Sequence, residues 1–546
     1  MSYHPAKSEI YRRAVEQLAQ SLGRRPTLYD GGGRPVAWDG FAYRKTGARH
    51  TGSMKNWRPT QIDGGTAAVE RETIVNRVAD LVGSDPHGSG VVDTFATTVV
   101  GPGLTPFPAL DRRALGLARD QARDITNAQR AAFATWAPWA DANERMDFAG
   151  IQTLWERNLI QHGESFTLAR MIDDPARPFF LALHVVHPLR VKTPVDRRSD
   201  PNIRDGIELS GGRPIAVWIK KPEPGTGRRR PDTSSNFHRV VVRSGHRWRV
   251  LHDFVVKDAG QVRGESFFQP ALKFFRDLND YLDAELVSNI VTAAFSLFIE
   301  TKDGDPTDLV ESLAFSTTTE TSADGTQKKR YHEEFTPGAI LYGNEGEKPH
   351  AIKGDRPGAT FVPFTRLILK ALATAVGVPY PVLFRDVDGV SYAGFRSAML
   401  EAWRVFNYHR QRLARGNCQR VYTMLMEEAY LRGYWWAPDF YGRRDLLTKA
   451  DWRGYPKGDI EPAKLAKADS EEIAQKLKSR QQASAERGRD FFQTLDEIDE
   501  ENDALAERGL VEQDPAHEND GAQAAALADT VADAVADELE ARRGIQ

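Results

Sequence analysis

Apolar residues recur every three or four positions between Pro270 and Thr301: Ala271, Phe274, Leu278, Leu282, Leu286, Ile290, Ala293 and Leu297 share one side. That period predicts one long helix, opened by Pro270, whose missing N–H is no loss at a first helical position. Lys273, Arg276, Asp277, Asp280 and Asp283 interleave in its first half, whereas Val287 to Ile299 is apolar nearly all round, as in a helix covered on several sides. A returning helix is predicted from Phe361 to Val376, stopped by Gly377 with Pro379 beyond it. A third, from about Phe395 to Arg432, carries Met399, Trp403, Phe406, Leu413, Val421, Leu425 and Tyr430 on its apolar side. Residues 302–360, rich in Thr, Ser, Gly and Pro, separate the first two rods and read as a small α/β insertion, with short strands near Phe335, Ile340 to Tyr342 and His350 to Ile352. The pattern is a hairpin of rods with a knob at its tip.

Upstream, Val69, Ile74, Val75, Val78 and Leu81 predict a helix over Thr66 to Val82, which the Pro and Gly cluster at Asp85 to Gly90 ends. Arg112 to Trp139 reads as helix, with Trp136 and Trp139 anchoring its end in a core, and Asp147 reads as the N-cap of a helix over 147–161. Alternating and β-branched runs then predict strands, including a hairpin through Gly211 and Gly212. The whole is α+β. Residues 1–60 are rich in Gly and Arg and show only a short helix near Ile10 to Leu22, so they read as an arm. Residues Ala463 to Arg508 are helical and highly charged, and Leu527, Val531, Val535 and Leu539 place a thin apolar stripe near the end of the chain.

The 546 residues suffice for several structural regions and a sizeable core. One cysteine, Cys418, forms no intrachain disulfide and reads as a core thiol in a protein made in a reducing compartment. No secretion signal or membrane-spanning run is visible, which predicts a soluble chain made in the cytoplasm. Net charge is −3, but residues 491–546 hold 16 acidic against 3 basic side chains, so the acidic tail at −13 hides a body at +10. Such a body permits polyanion contact without requiring it.

The chemistry-bearing motifs are mostly missing. No phosphate-binding loop occurs, GNEGEK at 343–348 having the wrong spacing, and neither HExxH nor GxSxG is present. His184 and His187 lie three apart in an apparent strand, on opposite faces, which argues against a metal. His162 with Glu164 could form an acid/base pair, or simply mark the loop after a helix. Arg228, Arg229 and Arg230 could meet phosphates or stay solvated. Arg366 and Lys370, four apart on the returning rod, could line a channel or face water, and the loop from Arg385 to Gly394 joins that rod to the long helix. No catalytic residues, metal or cofactor are expected.

The stretch GVPYPVLFRDVDGVSYAGFRSAMLEAWRVF, from Gly377 to Phe406, resembles the portal proteins of tailed bacteriophages of the lambda type. The matching positions are Gly377, Pro379, Tyr380, Leu383, Asp386, Tyr392 and Arg396. Further co-linear matches are VVGPGL at 99–104, GIELSGGRPIAVW at 206–218, GQVRGESFFQPAL at 260–272 with Gln261, Arg263 and Gly264, and PGAILYGNEGE at 337–347. Ala393 and Gly394 stand where the family shows two serines, and the tail past Leu510 is not covered. The resemblance implies an arm at 1–54, a wing at 55–269, stem helices at 270–300 and 358–384, and a clip at 301–357. It further implies a channel loop at 385–394, a long helix with wing continuation at 395–455, and a crown with acidic tail at 456–546. It implies a ring, usually of twelve copies, at the capsid vertex of the virion, assembled in the host cytoplasm. Double-stranded DNA would pass through without sequence readout, beside Arg366, Lys370, Arg385, Asp386 and Asp388. Terminase large subunit, head-completion and tail-connector proteins and the major capsid protein would be its partners, with no membrane. The competing readings are a capsid or scaffold component without a channel, and a hydrolase using His162 and Glu164.

Overall fold

The computed structural model describes residues 68–223, 230–294, 361–456, 458 and 461–508, with strand segments at 28–29, 35–36, 297–300, 316–321, 327–332 and 340–343. The chain divides into two units, Met1–Ile62 and Asp63–Gln546. In the first, Leu28–Tyr29 pairs antiparallel with Pro35–Val36. The helix expected near Ile10 to Leu22, Arg228, Arg229 and the apolar stripe from Leu527 to Leu539 lie outside the described residues.

The second unit opens with α1 (Ala68–Ser84) and α2 (Pro86–Phe95). The Pro and Gly cluster therefore begins a helix where the sequence reading has it only ending one. Pro86 occupies the first turn, where its ring fits, and the Asp85 side chain caps it by accepting from the Gly88 N–H at 2.7 Å. The predicted helix over Arg112 to Trp139 is broken at Gly116, in the left-handed region at φ +67°, before α3 (Arg119–Trp136). Trp136 is buried and its indole N–H donates to the Leu181 carbonyl at 2.8 Å. Trp139 is not the core anchor expected: it is 37% exposed and packs under the Arg177 guanidinium.

Helix α4 (Phe148–His162) is capped by Asp147 as predicted and buries Ile151, Trp155 and Leu159. It leads into an antiparallel three-stranded sheet of β1 (Glu164–Met171) between β2 (Leu181–Val186) and the later β7 (Val250–Phe254). A four-stranded antiparallel sheet follows in the order β3 (Ile203–Arg204), β4 (Ile207–Ser210), β5 (Arg213–Lys220) and β6 (Phe237–Val241). The predicted hairpin through Gly211 and Gly212 is present, with positive φ at both.

The first rod is α5 (Leu272–Ala294), shorter than the predicted 270–301. Leu297–Glu300 is instead a strand, parallel to Ile340–Gly343. Its aromatic and β-branched residues favour strand once a partner exists, and that partner lies some forty residues away, beyond the reach of local periodicity. In the insertion Ser316–Thr321 also pairs with Gln327–His332, and the strands expected near Phe335 and His350 lie outside the described residues. The returning rod α6 (Phe361–Val376) matches its predicted bounds. It meets α5 where the Tyr281 ring lies 5.7 Å from Phe361 and 5.2 Å from Phe364.

The third long helix is α7 (Tyr392–Leu413) and α8 (Gln419–Leu431), joined through a wide turn at Ala414–Cys418. Cys418 is buried in that turn, as expected. Helix α8 completes the sheet edge, its Glu428 carboxylate accepting from the backbone N–H groups of Phe180 and Leu181. The charged C-terminal run is three helices, α9 (Pro462–Ala474), α10 (Arg480–Glu486) and α11 (Phe491–Glu507), interrupted at Lys476 and Gly488, both with positive φ. Asp490 caps α11 and pairs with Arg130 of α3 at 2.5 Å, tying this run to the core. Among the described residues no helix is long and apolar enough to cross a membrane.

Candidate functional site

The loop between α6 and α7 is set by local chemistry at both ends. Gly377, at φ +81°, ends α6 by donating to the Ala373 carbonyl at 2.9 Å, and Pro379 opens a single helical turn over Tyr380–Leu383. At the far end the Ser391 hydroxyl accepts from the Gly394 N–H at 3.2 Å and caps α7. The loop therefore ends at Ser391, and Tyr392 is the first residue of the helix, not the last part of a loop running to Gly394.

Three of the five predicted channel residues meet in this loop. The Arg366 guanidinium lies 3.1 Å from Asp386 and 2.7 Å from Asp388. Asp386 also accepts from the Tyr380 hydroxyl, and its second oxygen takes the Asp388 N–H at 3.1 Å. The Tyr380 bond, then the Asp388 N–H and Arg366, hold the Asp386 carboxyl below its ordinary range; burial and Asp386 raise Tyr380 to about 12. Lys370 sits 5.9 Å above the Tyr380 ring in the same cleft, while Arg385, at φ +56°, makes no ion pair among the described residues. Arg366 thus spends its charge on two carboxylates of its own chain. Arg396, one turn into α7, lies 3.7 Å from Glu461, just ahead of α9.

The other quoted motif residues assemble elsewhere, around a carboxylate. Glu164, fully buried at the start of β1, takes three contacts from Arg263 at 2.5 to 2.9 Å, the Gly264 N–H at 3.0 Å and His252 at 3.0 Å. Arg263 spends its remaining donors on the carbonyls of Val191, Asp205 and Pro188, and Gln261 donates to the Arg263 carbonyl. Burial alone would raise the Glu164 carboxyl, but Arg263 and the His252 bond outweigh it and hold it far below the ordinary carboxylate range. Backbones cross here without room for a side chain: a Cβ on Gly264 would lie 2.0 Å from the Gly163 carbonyl oxygen, and one on Gly163 2.1 Å from the Glu265 carbonyl carbon.

This clamp corrects the acid/base reading of His162 and Glu164. The Glu164 oxygens are taken by Arg263, Gly264 and His252, and His162 lies instead against His187 with ring centroids 4.9 Å apart. Burial, then His187, lowers the His162 pKa to about 4, so the ring is neutral. His184 is on β2, contacting Asn143, and His187 caps the turn after the strand, so the two do not share a site. Sequence reasoning missed a second buried network, in which His409 meets Glu156 at 2.8 Å and Arg412 meets Asp253 at 2.5 Å. The signal was Glu156 beside Trp155 on a core-facing helix, a charge that burial obliges to find a partner.

Comparison with known proteins supplies the identity. The family model described as "Phage portal protein, lambda family" matches residues 50–410. Portal protein B of Escherichia phage lambda is 22% identical over 494 residues, covering 85% of this chain and 90% of that protein. The portal protein of Escherichia phage N15 is likewise 22% identical, covering 85% and 91%. Among solved structures, the neck of a native GTA particle computed with C12 symmetry aligns over 75% of this chain and 92% of that one, at 14% identity and TM-score 0.34. The neck of an empty GTA particle computed with C6 symmetry aligns over 74% and 90%, at 16% identity and TM-score 0.35. The chain belongs to the lambda family of phage portal proteins.

Proposed function

We propose that copies of this chain close into a ring, of twelve in the particle, whose central hole carries double-stranded DNA into and out of the capsid. The observation that carries this reading is the apolar surface of the two rods. Leu286, Val287 and Ile290 on α5 and Val362, Phe364 and Leu367 on α6 are all about half exposed or more, Leu367 by 64%, in a single copy. Large apolar side chains left exposed in this number on two packed helices mark an interface. Neighbouring copies repeating the same contact by rotation bury it all the way round.

In this reading α5 and α6 form the stem, the insertion between them the clip that docks the terminase and later the head-completion and tail proteins, and α9 to α11 the crown. The wing meets the major capsid protein. The loop from Arg385 to Ser391 faces the passing duplex. Its physics suits sliding. Each free cation gripping a phosphate adds salt-dependent affinity and holds the duplex in place. Arg366 is already matched by Asp386 and Asp388, so the loop offers few free cations and the DNA moves past it. Being partly open to solvent, these pairs are screened by water. The chain serves as a conduit and performs no catalysis itself.

The test is light scattering and electron microscopy of the purified protein. A cyclic assembly of about 0.7 MDa, from twelve chains of 61.0 kDa, with an axial hole, supports the proposal. A closed shell fragment without a hole supports the competing structural role.

A further inference from the structure

A cleft of about 840 Å³ opens where β5, β6 and β7 approach the start of α8. Its floor is apolar, with Val217, Val241, Val250 and Phe254, and its rim is arginine. On the rim the guanidinium carbons of Arg243 and Arg420 lie 4.7 and 4.3 Å from the ring centroid of Trp248. Arg239 is matched by Glu208, but Arg213, Arg243 and Arg420 have no ion pair among the described residues. Two cations on one indole repel each other, and Arg420 is also partly withdrawn from water. Burial lowers its pKa, against a pull from Asp253 that exceeds the smaller push from Arg243. A carboxylate placed between the two guanidinium groups meets both at once.

The occupant must cover aliphatic floor and arginine rim at once. A nucleic acid backbone offers phosphates but nothing for the floor. An acidic segment with aliphatic residues interleaved offers both, and the chain carries one: Leu527, Asp529, Val531, Asp533, Val535, Asp537 and Leu539 alternate two residues apart. From 509 to 546 the chain holds 9 acidic against 2 basic residues. Residues 509–526, between the last described helix and this segment, can span up to roughly 60 Å. We propose that this cleft seats the chain's own acidic C-terminal segment, residues 527–540.

Because the single native cysteine, Cys418, is buried, an Ala534→Cys substitution gives the full chain one reactive thiol. A benzophenone-maleimide attached there and irradiated is expected to cross-link to β6, β7 or residues 243–248. The yield is expected to fall about tenfold when Arg243→Glu and Arg420→Glu are combined, a change of about 1.4 kcal/mol in docking. It is expected to fall equally in Asp529→Asn, Asp533→Asn, Asp537→Asn, a variant that leaves the arginines in place and so separates lost docking from lost folding. Cross-links landing elsewhere, or a yield that neither variant moves, overturn the proposal. So does a short DNA duplex that cross-links to these arginines while the labelled tail does not.

Discussion

At Glu164, residues up to a hundred positions apart in sequence converge on one fully buried carboxylate, which makes it a sensitive position in the fold. Removing one partner leaves a buried charge uncompensated, so Arg263→Ala or Glu164→Gln is expected to cost about 3 to 5 kcal/mol in urea unfolding. His162 gives this region a pH signature. Its folded pKa of about 4 lies below the ordinary 6.5, so its contribution is complete above 6.5 and lost as pH falls toward 4. The loss amounts to up to about 3 kcal/mol. Glu164 is depressed further and yields only at more acid pH. Unfolding measured from pH 7 to 4 is expected to show a shallower decline in His162→Gln; an unchanged slope would assign the acid sensitivity elsewhere. At the loop, Asp386→Asn with Asp388→Asn frees Arg366. The salt dependence of duplex binding by the assembled protein is then expected to steepen by up to about 1 per subunit engaged, read by fluorescence anisotropy across a salt titration.

At the scale of elements, the crossing of Gly163 and Gly264 admits no side chain. Gly264→Ala is expected to give insoluble protein, whereas Gly377→Ala, where the gap is open but φ is +81°, is expected to lower stability by only about 1 to 2 kcal/mol. What the sequence made legible was what neighbours along the chain decide: the Asp147 cap, the Gly377 stop with Pro379 beyond it, and the glycine hairpin at 211 and 212. Distant partners decided the rest. The strand at Leu297–Glu300 depends on Ile340–Gly343, and the three-way engagement of Glu164 depends on residues up to 100 positions away. For the same reason the resemblance marked Arg263 and Gly264 as motif residues without revealing that they close on Glu164. The spacing that offered Arg366 to a channel likewise could not reveal that Asp388 neutralises it.

At the scale of the whole molecule, the rods are incomplete in one copy. Leu286→Glu or Leu367→Glu changes an exposed residue, so the unfolding free energy of the single copy is expected to move by no more than about 0.5 kcal/mol. Ring formation on a sizing column is expected to fail, because in the proposed ring the charge would enter a surface buried by neighbours. The most direct test of the central claim is averaged electron cryomicroscopy of the purified wild-type protein. The account predicts cyclic particles with an axial hole of duplex width and with α5 and α6 covered by adjacent copies. Particles that remain single, with the apolar faces of both rods folded against their own chain, would contradict it.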